Sequence, residues 1–166
     1  MTKSNIDKQF HPEMLREVIE KNVRASLEED IGDGDITASL ISNQDHAHAT
    51  VVVRESAVLS GSMWFRKVFE ILDPKIEVKW HFKDGDSIQT GDIVCEVMGS
   101  ARTILTGERT ALNFLQTLSG TATKTHRFAK VLENSTTKIL DTRKTLPGLR
   151  LAQKYAVSCG GGHNHR

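Results

Sequence analysis

The sequence has no long apolar run. No stretch approaches the roughly 18 apolar residues expected of a membrane helix, and the opening MTKSNIDKQFHPEM offers nothing that could serve as a secretory signal. It also lacks an excess of either charge: 22 Lys and Arg face 21 Asp and Glu, a net charge of +1. The chain as a whole therefore has no general attraction for nucleic acid. Cysteine is nearly absent, and Cys95 and Cys159 lie too far apart in sequence to suggest a disulfide framework. There is no internal repeat and no low-complexity segment. These absences leave a soluble, cytoplasmic protein without a membrane or nucleic-acid partner as the expectation. Its 166 residues allow one domain, or a domain with a piece of a second, and a hydrophobic content of 38% suffices for a core.

Several elements can be read from the pattern. Pro12 opens a helical stretch in which Leu15, Val18, Ile19, Val23 and Leu27 return at spacings of three and four. The glycines and aspartates of Glu29 to Asp35 break it. Residues 50–54 read as a strand, and Ser62 as the cap of a short helix reaching Leu72. Ile76, Val78, Trp80 and Phe82 alternate with Glu77, Lys79 and His81, which predicts a half-buried strand. Two turn signals follow, Asp84-Gly85-Asp86 and Thr90-Gly91-Asp92, and then an apolar segment from Ile93 to Met98. The first 100 residues thus predict a mixed domain with an antiparallel sheet. Beyond them, residues 104–118 predict a helix with Leu105, Leu112, Leu115 and Leu118 on or near one face. Gly120 predicts an interruption, and a second helix then runs to Leu132. A short run from Lys138 to Thr142 and a helix-compatible Leu149 to Val157 suggest the start of a βα repeat.

Charge is uneven along the chain. From residue 141 onward Arg143, Lys144, Arg150, Lys154 and Arg166 stand against Asp141 alone, a local +4 that leaves −3 for the first 140 residues. A basic end of this kind suits an anionic ligand, and a solvated tail is the plainer alternative. If Ile139 and Leu140 lie in a buried parallel strand, Asp141-Thr142-Arg143-Lys144-Thr145 emerges at its C-terminal end, where βα barrels place their sites. Arginine there grips a carboxylate with two bonds, and lysine offers a point charge to phosphate. The three glycines of Cys159-Gly160-Gly161-Gly162-His163-Asn164-His165-Arg166 allow a ligand close to the backbone. A zinc site from Cys159, His163 and His165 is an alternative whose spacing matches no standard motif. Asp33-Gly34-Asp35 opens like an EF-hand loop, but Thr37 and Gln44 stand where that loop wants other oxygen ligands, so turn formation explains it. Glu108 and Arg109 read alone as helix-surface charges.

Taken together, five blocks resemble the quinolinate phosphoribosyltransferases. In order they are Glu29 to Thr37 (EDIGDGDIT), Gly107 to Gly120 (GERTALNFLQTLSG), Asp141 to Gly148 (DTRKTLPG), Lys154 to Val157 (KYAV) and Gly160 to Arg166 (GGGHNHR). The resemblance implies an α+β fold: an N-terminal α/β sandwich, hammerhead-like, at residues 1–116, followed by the incomplete start of a βα barrel at 117–166. It implies a reaction of quinolinate with phosphoribosyl pyrophosphate, with Mg2+, that yields nicotinate mononucleotide, pyrophosphate and carbon dioxide. Arg143, His165 and Arg166 would contact the quinolinate carboxylates, with Thr142 and Lys144 beside them and Lys144 turned toward the phosphoribosyl substrate. Arg109 resembles the arginine that reaches a neighbouring subunit's pocket, which implies a homodimer. Family members continue past the NHR segment with further site residues, including those that help hold the magnesium. The 166-residue chain alone is therefore not expected to turn over. Two alternatives remain: a same-fold phosphoribosyltransferase for another anion, and a biotinyl or lipoyl carrier module, which Lys83 to Val97 resembles but which lacks a fitting modifiable lysine.

Overall fold

The computed structural model describes residues 10–32, 34, 40–42 and 44–165. Helix α1 (Pro12–Ile31) has proline in its first turn, where a missing N–H costs nothing, and buries Leu15, Ile19, Val23 and Leu27 along one face. It stops at Gly32 (φ 50°), whose N–H reaches the Glu28 carbonyl at 3.1 Å. Of the acidic turn beyond, Asp33 and residues 35–39 lie outside the described residues.

Strands β1 (His46–Val52), β3 (Glu77–Trp80) and β5 (Ile93–Ser100) form one antiparallel sheet in the order β1-β5-β3. Strand β1 begins four residues earlier than its β-branched run, because pairing from His46 with Ser100 onward recruits Ala47 and Ala49, residues with little strand preference of their own. It turns His46, His48 and Thr50 outward, while Ala47, Ala49 and Val51 are half-buried. Out on the solvent face, the two oxygens of Glu96 each lie 2.7 Å from a ring nitrogen, one of His81 and one of His48. Those two contacts hold the Glu96 carboxyl below its ordinary range.

A second, two-stranded piece pairs β2 (Ala57–Val58) with β4 (Ser87–Ile88). The two turn signals fold alike, six residues apart. In each, a backbone N–H, of Asp86 or Asp92, closes the turn on the carbonyl of Lys83 or Gln89. The aspartate side chain returns to the N–H of that same residue, at 2.8 and 2.7 Å. Gly85 and Gly91 both sit at φ 93°, a conformation open to glycine. Each turn exchanges two backbone bonds with an earlier segment, at Leu59 and at Val53 respectively.

Helix α2 (Ser62–Leu72) lies at the centre, with Trp64, Phe65, Val68 and Phe69 at most 2% exposed. Burying side chains of this size contributes about 1.5–3 kcal/mol each. Phe65 meets Trp80 of the sheet edge to face at 5.3 Å, and Trp64 packs 5.5 Å from Tyr155 on the opposite side. Ser62 is not its cap. Gly61 holds that position in a left-handed conformation, and the N–H groups of Gly61 and Ser62 both donate to the Asp84 carboxylate at 3.2 Å.

Helix α3 (Ala101–Val131) is continuous over 31 residues and corrects the expected interruption at Gly120. Ser100 caps it, accepting from the Thr103 N–H. Its inward face is Ile104, Gly107, Ala111, Phe114, Leu115, Leu118, Ala122 and Thr125, and Leu105 turns outward. Gly107 is required by contact: a Cβ there would lie 2.8–2.9 Å from Leu72 and Phe69. Helix α4 (Arg150–Cys159) packs on the second half of α3 and buries Ala152, Tyr155, Ala156, Ser158 and Cys159. The result is an α+β fold, in which the helices cover the inner face of the sheet and carry the opening βα segment.

Candidate functional site

Ile139 is half-buried and Leu140 is 50% exposed, so the expected buried strand is reduced to a single parallel bridge between Leu140 and His163. Two backbone bonds make it: Asp141 N–H to the His163 carbonyl at 2.9 Å, and His163 N–H to the Ile139 carbonyl at 2.8 Å. No further strand flanks it among the described residues, which is why the edge stays open to water. Because the bridge is parallel, Thr142, Arg143 and Lys144 leave it at the same end as Asn164 and His165.

The segment from Thr142 is held from several sides. The Thr142 hydroxyl accepts the Lys144 N–H at 3.0 Å, and an Arg150 guanidinium N–H reaches the Arg143 carbonyl at 3.4 Å. Leu146 to Leu149 is a turn with Pro147 and Gly148 at its centre. The Leu146 N–H donates to the Gln153 side chain at 2.9 Å, and the Asn22 amide donates to the Gly148 carbonyl at 3.0 Å. The Asn22 side-chain oxygen in turn accepts the indole N–H of Trp64, which ties this loop to the core. Arg143 and Lys144 stay exposed on a fixed backbone.

Asp141 joins the two segments. It is only 7% exposed and divides its carboxylate between two donors: Lys154 Nζ at 2.6 Å on Oδ2, and the His165 N–H at 2.9 Å on Oδ1. Sequence reasoning named His165 but passed over Asp141 and Lys154 as site members. The available signal was Asp141 as the lone acid in a run of cations.

The glycines do something other than expected. A Cβ at residue 160 would lie 2.2 Å from the Ala122 carbonyl oxygen, and one at 162 would lie 2.6 Å from Val157 and 3.0 Å from Thr125. Gly161 sits at φ 88°. The triplet thus lets the end of α4 press against α3 and turn sharply, and no open space for a ligand lies above Gly160 or Gly162. Cys159 is buried, and that burial pushes its thiol up to about 12, with the Asp84 carboxylate adding to the shift. Its neighbours are Ser60, Tyr155 and Asp84. Among the described residues no three His, Cys, Asp or Glu side chains gather as a metal-ligand group.

Arg109 stands apart. It projects from α3 with its side chain 73% exposed, donates to Asp30 at 2.9 Å, and lies about 18 Å along the helix axis from Thr121, where Gln153 of α4 meets α3. Thr110 donates to the other Asp30 oxygen at 3.1 Å. A cavity of about 280 Å³ opens beside Asp30, between α1 and α3, with Glu29, Thr110, Asn113, Phe114 and Leu149 in its wall. Its wall carries the carboxylates of Glu29 and Asp30, and Leu149 borders it from the loop that follows Lys144. Arg166 lies outside the described residues. The structure therefore brings Thr142, Arg143, Lys144 and His165 to one end and leaves Arg109 elsewhere.

An α+β protein whose cations collect where a parallel βα unit opens to solvent is an architecture of known enzymes. The family model described as Quinolinate phosphoribosyl transferase, N-terminal domain, matches residues 35–119, and that of the C-terminal domain matches residues 121–166. The chain belongs to the quinolinate phosphoribosyl transferase family. A probable nicotinate-nucleotide pyrophosphorylase [carboxylating] of Bacillus subtilis is 42% identical over 138 residues, covering 83% of this chain and 48% of the relative. The structure of the nicotinate-nucleotide pyrophosphorylase of Francisella tularensis superposes with a TM-score of 0.87 at 47% identity, over 90% of this chain and 54% of that one. NadC of Streptococcus pyogenes gives 0.86 at 42%, over 89% and 53%. The chain spans about half the length of the curated relatives it matches. The two family matches meet at residues 119–121, within the unbroken α3. No helix among the described residues is long and apolar enough to cross a membrane.

Proposed function

We propose that this chain carries part of the substrate site of a carboxylating phosphoribosyltransferase of NAD biosynthesis. In that reaction quinolinate and phosphoribosyl pyrophosphate become nicotinate mononucleotide, pyrophosphate and carbon dioxide. The supporting observation is the parallel bridge at Leu140 and His163, with Thr142, Arg143, Lys144 and His165 leaving it at one end. Quinolinate is a dicarboxylate, and a guanidinium and an imidazole borne on held backbone at one end of the bridge offer it directional donors. Arg143 and His165 take its carboxylates, together with Arg166. Thr142 lies beside them, and Lys144 faces the phosphoribosyl substrate. As the pyridine nitrogen attacks the electron-poor ribose carbon and pyrophosphate departs, fixed positive charge favours the leaving group.

Magnesium enters this reading with phosphoribosyl pyrophosphate. Among the described residues no acidic set gathers to hold it, and both oxygens of Asp141 are already engaged. No step is assigned to the ion. A division of the chain near residue 116, into a sandwich domain and the opening of a barrel, belongs to the same reading and is supported by the two family matches. So does a homodimer in which exposed Arg109 reaches the neighbouring site. Two buried, unpaired thiols accord with a reducing compartment such as the cytoplasm.

Calorimetric titration tests the proposal on a polypeptide extended to the length of the relatives. Quinolinate is expected to bind more tightly than nicotinate. Arg143→Ala is expected to weaken quinolinate binding by about 1.5–3 kcal/mol, the loss of a charge-assisted bond. Equal affinity for the two acids, untouched by that substitution, would favour another anion and defeat this assignment.

A further inference from the structure

The run from residue 141 onward gathers five cations around one acid, and that acid is buried. Simple electrostatics makes a carboxylate beside an anion site unfavourable, because it repels the ligand. Asp141 nevertheless sits at the root of the cationic loop. Its two oxygens reach donors 13 and 24 residues away, Lys154 Nζ and the His165 N–H, and its own N–H makes half of the bridge to His163.

We propose that Asp141 is a positioning residue, a clip that sets the spacing between Arg143 and His165 and withholds Lys154 from the ligand. The inference rests on the dicarboxylate reading given above and adds to it a residue that touches no ligand. The chemistry is specific to a carboxylate. Each oxygen accepts from one donor, the carboxylate is buried and the Lys154 side chain is largely so. An amide at this position offers one acceptor and one N–H2, so either the lysine or the His165 N–H would face another donor.

This gives opposite signs for two explanations. If Asp141 acts only as a nearby charge, Asp141→Asn removes a repulsive group and quinolinate binds more tightly. If it positions the site, binding weakens in spite of the favourable change in charge. A double variant, Asp141→Asn with Lys154→Gln, keeps the net charge of the natural chain and leaves no unpaired buried ammonium, so it also serves should the single variant fold poorly.

The test uses the 15N-labelled polypeptide extended to the length of the relatives, with amide spectra recorded before and during titration with quinolinate. Expected are displaced signals at Thr142 to Lys144 and at His165 in both ligand-free variants, and affinity lowered about tenfold, the scale of one lost charge-assisted bond. Ligand-free signals at their original positions, or affinity equal to or above that of the natural chain, would overturn the proposal. Displaced signals in the variants without quinolinate binding by the natural chain would leave the clip standing and remove the dicarboxylate reading instead.

Discussion

At position 160 a Cβ would lie 2.2 Å from the Ala122 carbonyl oxygen, an atom of helix backbone that cannot swing aside. Gly160→Ala is therefore expected to destabilise the protein by about 1–3 kcal/mol, the usual cost of overpacking. Urea unfolding monitored by circular dichroism would show it, and a change within about 0.5 kcal/mol, the range of an ordinary surface substitution, would mean that the close approach is absent. The glycine triplet was visible in the sequence, but its purpose was not. A run of glycines looks the same whether a ligand or a neighbouring helix comes close, and only the position of α3 distinguishes them. Asp141 is the converse case. Its isolation among cations was visible, while its two partners depend on how the chain folds back.

Among the elements, α3 shows most plainly what local pattern misses. Gly120 lowers helix preference by roughly 1 kcal/mol against alanine, yet the helix continues because Leu118, Ala122 and Thr125 on either side are buried. A Cβ at 120 would meet nothing within 4 Å. Gly120→Ala is therefore expected to stabilise the protein by about 0.5–1 kcal/mol, read as a raised midpoint in thermal unfolding; a lowered midpoint would contradict the exposed, strain-free placement. Helix α1 and strand β3 behaved otherwise. Their apolar spacing is regular, their ends are marked by proline, glycine or a turn, and the expected faces are the buried ones. The cap of α2 lies between these cases. Ser62 had the right chemistry beside the right boundary, but Asp84, 22 residues onward, does the capping.

For the molecule as a whole, Asp84 is also where the sheet half meets the βα segment. Its carboxylate caps α2 and accepts the Tyr155 hydroxyl of α4 at 2.9 Å. Withdrawal from water pushes the Asp84 pKa up, and the Tyr155 bond works against that shift. A carboxyl whose folded pKa is raised holds a proton that the unfolded chain has released, so its contribution to stability falls as pH rises through the folded value. Tyr155→Phe keeps the ring against Phe10 and Trp64 but removes the donor to the ionised form. The expected loss is about 1–3 kcal/mol at a pH where Asp84 is ionised and smaller at a lower pH, where the raised carboxyl holds its proton. Denaturant midpoints at the two pH values provide the check, and a loss independent of pH would place the effect in packing.

From its own pattern the sequence determined the buried face of α1, the half-buried strand and the two glycine turns, because period and turn chemistry are local properties of a chain, while the order of its motifs carried the resemblance to the family. Tertiary structure alone decided which carboxylate caps α2, what the glycines at 160 and 162 accommodate, and that Thr142 to Lys144 share an end with His165. Those facts join residues distant in sequence, which only the fold brings together: the turn at Asp84 against the start of α2, the end of α4 against α3, and the bridge at Leu140 and His163.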